Sequence, residues 1–142
     1  MGASDELIRP DAAQFAKDVQ ALLSLKAGCP VYEGEAPRDE SGAVNVKPPF
    51  VVYSAALSSP ISERGTLTAA LMLDVWALNG WAACYEIAQS LDDALDEAVY
   101  TMPSGVLCID RDGLVFNRNE RDPNDERIRR MSGQYLIRFY PM

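Results

Sequence analysis

Thirteen residues from Thr66 to Leu78 put Leu67, Ala69, Leu71, Leu73, Val75 and Ala77 on every second position. Alternation of this kind sends one row of side chains to a single face of a β-strand, and a row without a polar member has to be buried. An unbroken strand of that length spans about 43 Å at 3.3 Å per residue, well beyond the common length. It must project from, or bend around, a domain of 142 residues. A chain of that size buries about two-thirds of its unfolded surface, enough for one core, so a single domain over residues 1–142 is expected.

The rest of the chain supplies what this strand can pack against. Asp11 follows Pro10 and is placed to cap a helix running to about Lys26, with Phe15, Val19, Leu22 and Leu23 on one side and Lys17, Asp18 and Gln20 elsewhere. Ala27-Gly28 and Pro30 end it, and residues 1–9 are expected to be a flexible N-terminal segment. Val31 to Glu33 is a short extended piece, and Gly34 to Pro49 is a long loop with no apolar period. Phe50 to Leu57, rich in aromatic and β-branched residues, reads as a strand antiparallel to Thr66–Leu78 across the turn-rich Ser58–Gly65. Asn79-Gly80 breaks the long strand. Cys84, Ile87, Ala88, Leu91, Ala94, Leu95 and Ala98 then mark a second helix, from Trp81 to Val99 and stopped by Met102-Pro103-Ser104-Gly105. Val106–Ile109, a turn at Asp110–Gly113, Leu114–Phe116, the polar Asn117–Glu126 and a final strand from about Arg127 to Tyr140 complete the order. Two amphipathic helices and mainly antiparallel or mixed strands make an α+β two-layer sandwich, with both helices on one face of the sheet and long protruding strands or loops.

Composition narrows the chemistry. The chain has no histidine and a net charge of −8, from 13 Lys+Arg against 21 Asp+Glu. Histidine-activated nucleophiles and histidine zinc sites are thereby excluded, and a broad basic face for nucleic acid is disfavoured. Cys29, Cys84 and Cys108 lie far apart without a Cys-x-x-Cys, the pattern of buried reduced thiols. No window approaches the roughly 20 apolar residues of a membrane span, and Glu6 stands where a myristoylation signal wants a hydroxyl. Synthesis in a reducing cytoplasm is expected.

Candidate sites are correspondingly sparse. Asp110-Arg111-Asp112-Gly113 has the opening of a calcium loop, but position 12 is Arg121 where a bidentate Glu is needed, so a hairpin turn is the better reading. Asp92, Asp93, Asp96 and Glu97 lie on the second helix with no Lys or Arg on its outer face, an arrangement expected to be solvated rather than metal-binding. Asp74, opposite the apolar row beside Met72 and Trp76, is either a pocket carboxylate or a residue facing solvent or a partner. Trp76, Trp81, Tyr85 and Tyr100 suit a protein interface and core packing about equally. Arg118, Arg121, Arg127, Arg129 and Arg130 alternate with Asp122, Asp125 and Glu126, a mixed-charge pattern that suits a complementary protein surface or a solvated loop. No catalytic, cofactor or metal residues are identified, and no enzyme activity is expected.

Taken in order, the opening helix, Cys29-Pro30-Val31-Tyr32-Glu33-Gly34, the loop, Pro48-Pro49-Phe50-Val51-Val52-Tyr53, Leu73-Asp74-Val75-Trp76 and the helix from Trp81 resemble the tailed-phage tail completion proteins, the tail terminator or head-tail joining family. The resemblance covers roughly residues 10–140. It implies a non-enzymatic virion protein at the head-proximal end of a phage or prophage tail. Its copies would form a ring, commonly a hexamer, that binds the last ring of the tail tube protein, halts polymerisation and offers a surface to the head-tail connector protein. On that reading Arg38 in the long loop, Asp74, Trp76, Arg118, Arg121, Arg127, Arg129 and Arg130 are interface candidates. Asp92, Asp93, Asp96 and Glu97 would line the lumen, repelling the phosphates of passing DNA without any sequence-specific nucleic-acid or membrane contact. A head-side adaptor ring, or a small ligand-binding α+β domain with a cleft at Asp74, Trp76 and the second helix, are the alternatives.

Overall fold

The computed structural model describes residues 11–42, 44, 46–57, 67–78, 80–122 and 125–141, with the backbone alone for 113–122 and 125–127. Segment 1–9 and the turn at Ser58–Gly65 lie outside the described residues. Eight elements follow in order: α1 (Ala12–Ala27), β1 (Val31–Glu33), β2 (Phe50–Leu57), β3 (Leu67–Leu78), α2 (Trp81–Leu95), β4 (Ala98–Met102), β5 (Gly105–Asp122) and β6 (Asp125–Pro141). The strands form one mixed sheet in the order β1-β2-β3-β6-β5-β4, with α1 and α2 packed on the same face.

Helix α1 has the ends its sequence dictates. The Asp11 carboxylate accepts the Gln14 N–H at 3.0 Å, and Gly28 takes the left-handed cap at φ 71°. β1 runs parallel to β2 in the register Val31↔Val51. A parallel pair needs a crossover to bring the chain back to the same end, which accounts for the long connection between Gly34 and Pro49.

β3 is the centre of the sheet. β6 pairs with it from Leu67↔Phe139 to Leu78↔Ile128, and β2 flanks its other side antiparallel, as expected, from Leu57↔Ala69 to Phe50↔Trp76. Leu67, Ala69, Leu71, Leu73, Val75 and Ala77 are all buried. Phe15, Val19, Leu22 and Leu23 of α1 and Leu91 and Leu95 of α2 come down on this row, with Tyr135, Ile137 and Phe139 of β6 beside it. The long strand is accommodated by being sandwiched between neighbours, and the β5–β6 hairpin continues past its end to close at Asp122↔Asp125.

Three boundaries differ from the sequence reading, one of them at the polar Asn117–Glu126 segment, into which β5 continues as far as Asp122 and in which β6 already begins at Asp125. α2 stops at Leu95, four residues before Val99, and Glu97 at φ 50° turns the chain into β4, which pairs antiparallel with β5. Asp110–Gly113 is not a hairpin turn: β5 runs through it, and the extra residues are absorbed as an irregularity between the pairs Arg111↔Tyr135 and Phe116↔Gly133. Pairing along β6 thus outweighs a local turn preference, and a bulge takes up the surplus.

Candidate interaction surface

The acidic stretch of α2 is divided by the fold. Asp92, at the edge of the apolar stripe, is 8% exposed and points inward. Its carboxylate accepts two hydrogen bonds from the Arg111 guanidinium, one of them from Nε at 3.1 Å, and a third from the Tyr135 hydroxyl at 2.7 Å. Asp96 lies 3.4 Å from the same guanidinium. The expected strip of four solvated carboxylates is corrected accordingly: Asp92 is buried and paired, Asp96 is half-buried and paired, and Asp93 and Glu97 are the exposed members. The compensating charge comes from β5 and so was invisible on the helix. The Arg111 hydrogen bonds hold Asp92 below the ordinary carboxylate range; burial opposes them and Tyr135 assists. Burial, followed by the Asp92 contact, pushes the Tyr135 hydroxyl well above its ordinary value.

Asp18 is a second departure. Placed among the outward residues of α1 by pattern, it is 4% exposed and accepts the Ser104 N–H at 2.8 Å and the Gln14 side-chain amide at 2.9 Å. It therefore ties α1 to the β4–β5 turn. Burial raises its carboxyl, but hydrogen bonding outweighs that and leaves it below the usual value.

The sheet face away from the helices carries Asp74, Trp76 and Arg130. Trp76 stacks on Phe50 with ring centroids 5.9 Å apart, and the Arg130 guanidinium lies 5.2 Å from the Trp76 ring centroid. Tyr32 meets the edge of Phe50 at 6.1 Å. Asp74 accepts a hydrogen bond from the Ser132 hydroxyl on the neighbouring strand. Trp76 and Arg130 form one ladder across the register Phe50↔Trp76↔Arg130, and Asp74 lies on a separate row of the same face, Val52↔Asp74↔Ser132. Further along the same face Met72, Leu136, Tyr140 and Val99 are exposed, and the charged Arg138 and Asp110 bind each other at 3.0 Å.

The remaining candidates are scattered. Arg129 is on the helix side, its guanidinium 5.8 Å from the Trp81 ring centroid. Arg38 is occupied within its own loop, by Glu35 at 3.2 Å and the Gly42 carbonyl at 2.7 Å. The side chains of Arg118, Arg121 and Arg127 lie outside the described residues. Of the aromatics left open by the sequence, Tyr100 is partly buried and donates to the Ala94 carbonyl at 2.6 Å, whereas Tyr85 is exposed. Of the three free thiols only Cys84 is fully buried, donating to the Arg129 carbonyl at 3.3 Å; Cys29 and Cys108 are half-buried. Among the described residues no group of three or more His, Cys, Asp or Glu could hold a metal ion, and no helix is long and apolar enough to cross a membrane.

No family model matches the sequence, and no curated protein matches it. Among solved structures, the chain aligns with one from the virion of a native gene transfer agent particle, at 18% identity and a TM-score of 0.55, over 97% of each chain. A second solved chain aligns at 15% identity and a TM-score of 0.52, over 99% of this chain and 100% of the other. The fold is shared from end to end with both.

Proposed function

We propose that this chain is a structural virion protein of a phage or prophage tail, a tail terminator whose copies form a ring on the last ring of the tail tube. The ring stops tube growth and presents its outer surface to the head-tail connector. The observation that carries the reading is the end-to-end likeness to a chain of a virion particle, with neither chain leaving a domain over. The family resemblance of the Cys29–Gly34, Pro48–Tyr53 and Leu73–Trp76 segments supports the finer assignment. In such a ring the protein acts by contact, without chemistry of its own. Of the four acidic candidates, Asp93 on α2 and Glu97 just past its end are the exposed carboxylates available to a lumen, and the Trp76–Arg130 ladder supplies an aromatic and cationic contact surface.

Light scattering over a concentration series, followed by negative-stain imaging with and without tail tubes, tests this. Rings, or monomers that collect at tube ends, are the expected result. Binding to the connector but not the tube would replace the terminator with a head-side adaptor. A monomer recruited by neither would overturn the virion reading and favour a ligand-binding domain.

A further inference from the structure

Among the described residues the sheet has two uncovered strand edges, at its opposite ends. β1 pairs with β2 only as far as Glu33↔Tyr53, and Gly34 N–H adds a last bond to the Tyr53 carbonyl at 2.8 Å. Among the described residues, Ser54–Leu57 therefore has β3 on one side and nothing on the other. β4 is the last strand at the far end, with β5 on one side only. Both stretches, Ser54-Ala55-Ala56-Leu57 and Ala98-Val99-Tyr100-Thr101-Met102, lack charge and proline, the usual devices that keep an edge from recruiting another strand. Val99 is 66% exposed on the open face.

We propose that these edges pair with each other between copies of the chain, so that the sheet runs on from subunit to subunit; the inference rests on the ring-forming reading above and names the contact that builds it. An unpaired backbone edge is satisfied by another extended backbone, and the same sheet carries the matching one. The two edges belong to one frame. The row Leu57↔Ala69↔Ile137↔Ile109↔Ala98 crosses from β2 to β4 without a break. The pairings from β2 through β4 are all antiparallel, so β2 and β4 run in the same direction. A neighbour that keeps the strand direction joins β4 to β2 as a parallel pair. From the shared row the free stretches extend opposite ways, so each junction is staggered by about four residues, about 13 Å, the kind of shear by which tilted strands close on themselves. A head-to-tail contact between two different patches is also the kind that closes a ring. With Met102↔Gly105 closing a two-residue turn, alternation of the ladder aims the N–H and C=O groups of Val99 and Thr101 away from β5, toward the neighbour.

The test is a mixing experiment on the full chain carrying Cys29→Ser and Cys108→Ser, with a short thiol cross-linker, in the presence and absence of tail tubes. One preparation carries Ala56→Cys and the other Val99→Cys. A cross-link that needs both preparations is expected. Val99→Lys and Thr101→Pro, checked for native circular dichroism, should each weaken self-association by about tenfold or more. A Val99→Cys preparation that cross-links to itself alone would overturn the proposal in favour of a two-fold β4–β4 contact. So would residues 1–10 of the same chain capturing the β4 edge, seen as association that rises on deleting them, and so would no mixed cross-link with or without tubes. A mixed cross-link in a protein that never caps a tube would leave the edge pairing standing and refute the terminator role.

Discussion

Replacing the fully buried Tyr135 by Phe removes one hydroxyl from the part-buried network that joins α2 to the sheet. The ring stays in place, so no cavity opens, and the loss includes the 2.7 Å hydrogen bond to Asp92. A bond to a charged acceptor is worth about 1.5–3 kcal/mol. Arg111 continues to satisfy the carboxylate, which places the expected loss near the lower half, about 2 kcal/mol, or about 6 °C in melting temperature for a chain of this length. The pH dependence has a definite sign. Asp92 is depressed from 3.8 in the folded state, so its charged-state stabilisation is present above that value and fades as pH falls through the lower folded one. Once Asp92 is protonated the bond is an ordinary neutral one, so the deficit of Tyr135→Phe shrinks toward about 1 kcal/mol or less as pH falls through the lowered folded value. Urea unfolding of both proteins from pH 7 to 2.5 measures it. A variant as stable as the parent at pH 7, or a deficit that does not change with pH, would refute the assigned role of Asp92.

Two further substitutions probe the turn between β4 and β5. Asp18→Ala strands the buried Ser104 N–H and should cost about 1–3 kcal/mol, read as a lower urea midpoint with an unchanged m value. Gly105→Ala places a methyl against the Tyr140 carbonyl oxygen and within 2.9 Å of the Phe139 ring at φ 152°, and should lower stability by about 1–3 kcal/mol in the same assay. Either variant matching the parent would contradict the packing described.

What could be seen in the sequence was the part fixed by local pattern. The alternating row of β3, the Asp11 and Gly28 caps of α1 and the start of α2 each follow from neighbours in the chain. The end of α2 was missed because Ala98 continues the helical stripe, while its true role is set by Ile109 across the β4–β5 pair. The Asp110–Gly113 turn signal was overruled by β6 in the same way. Asp92 and Asp18 have a local trace, since Asp92 is four residues after the buried Ala88 and Asp18 three after the buried Phe15. Their partners, Arg111, Tyr135 and Ser104, come from distant segments, so the burial was not legible. The Trp76–Arg130 contact likewise needed the β3–β6 register to bring together two residues singled out separately.

The most direct test of the terminator role is tube length. Tail tube protein polymerised alone and with this chain should differ in electron micrographs, with growth arrested and one end of each tube carrying a ring when the chain is present. Tubes of the same length distribution, with bare ends, would contradict the role assigned here.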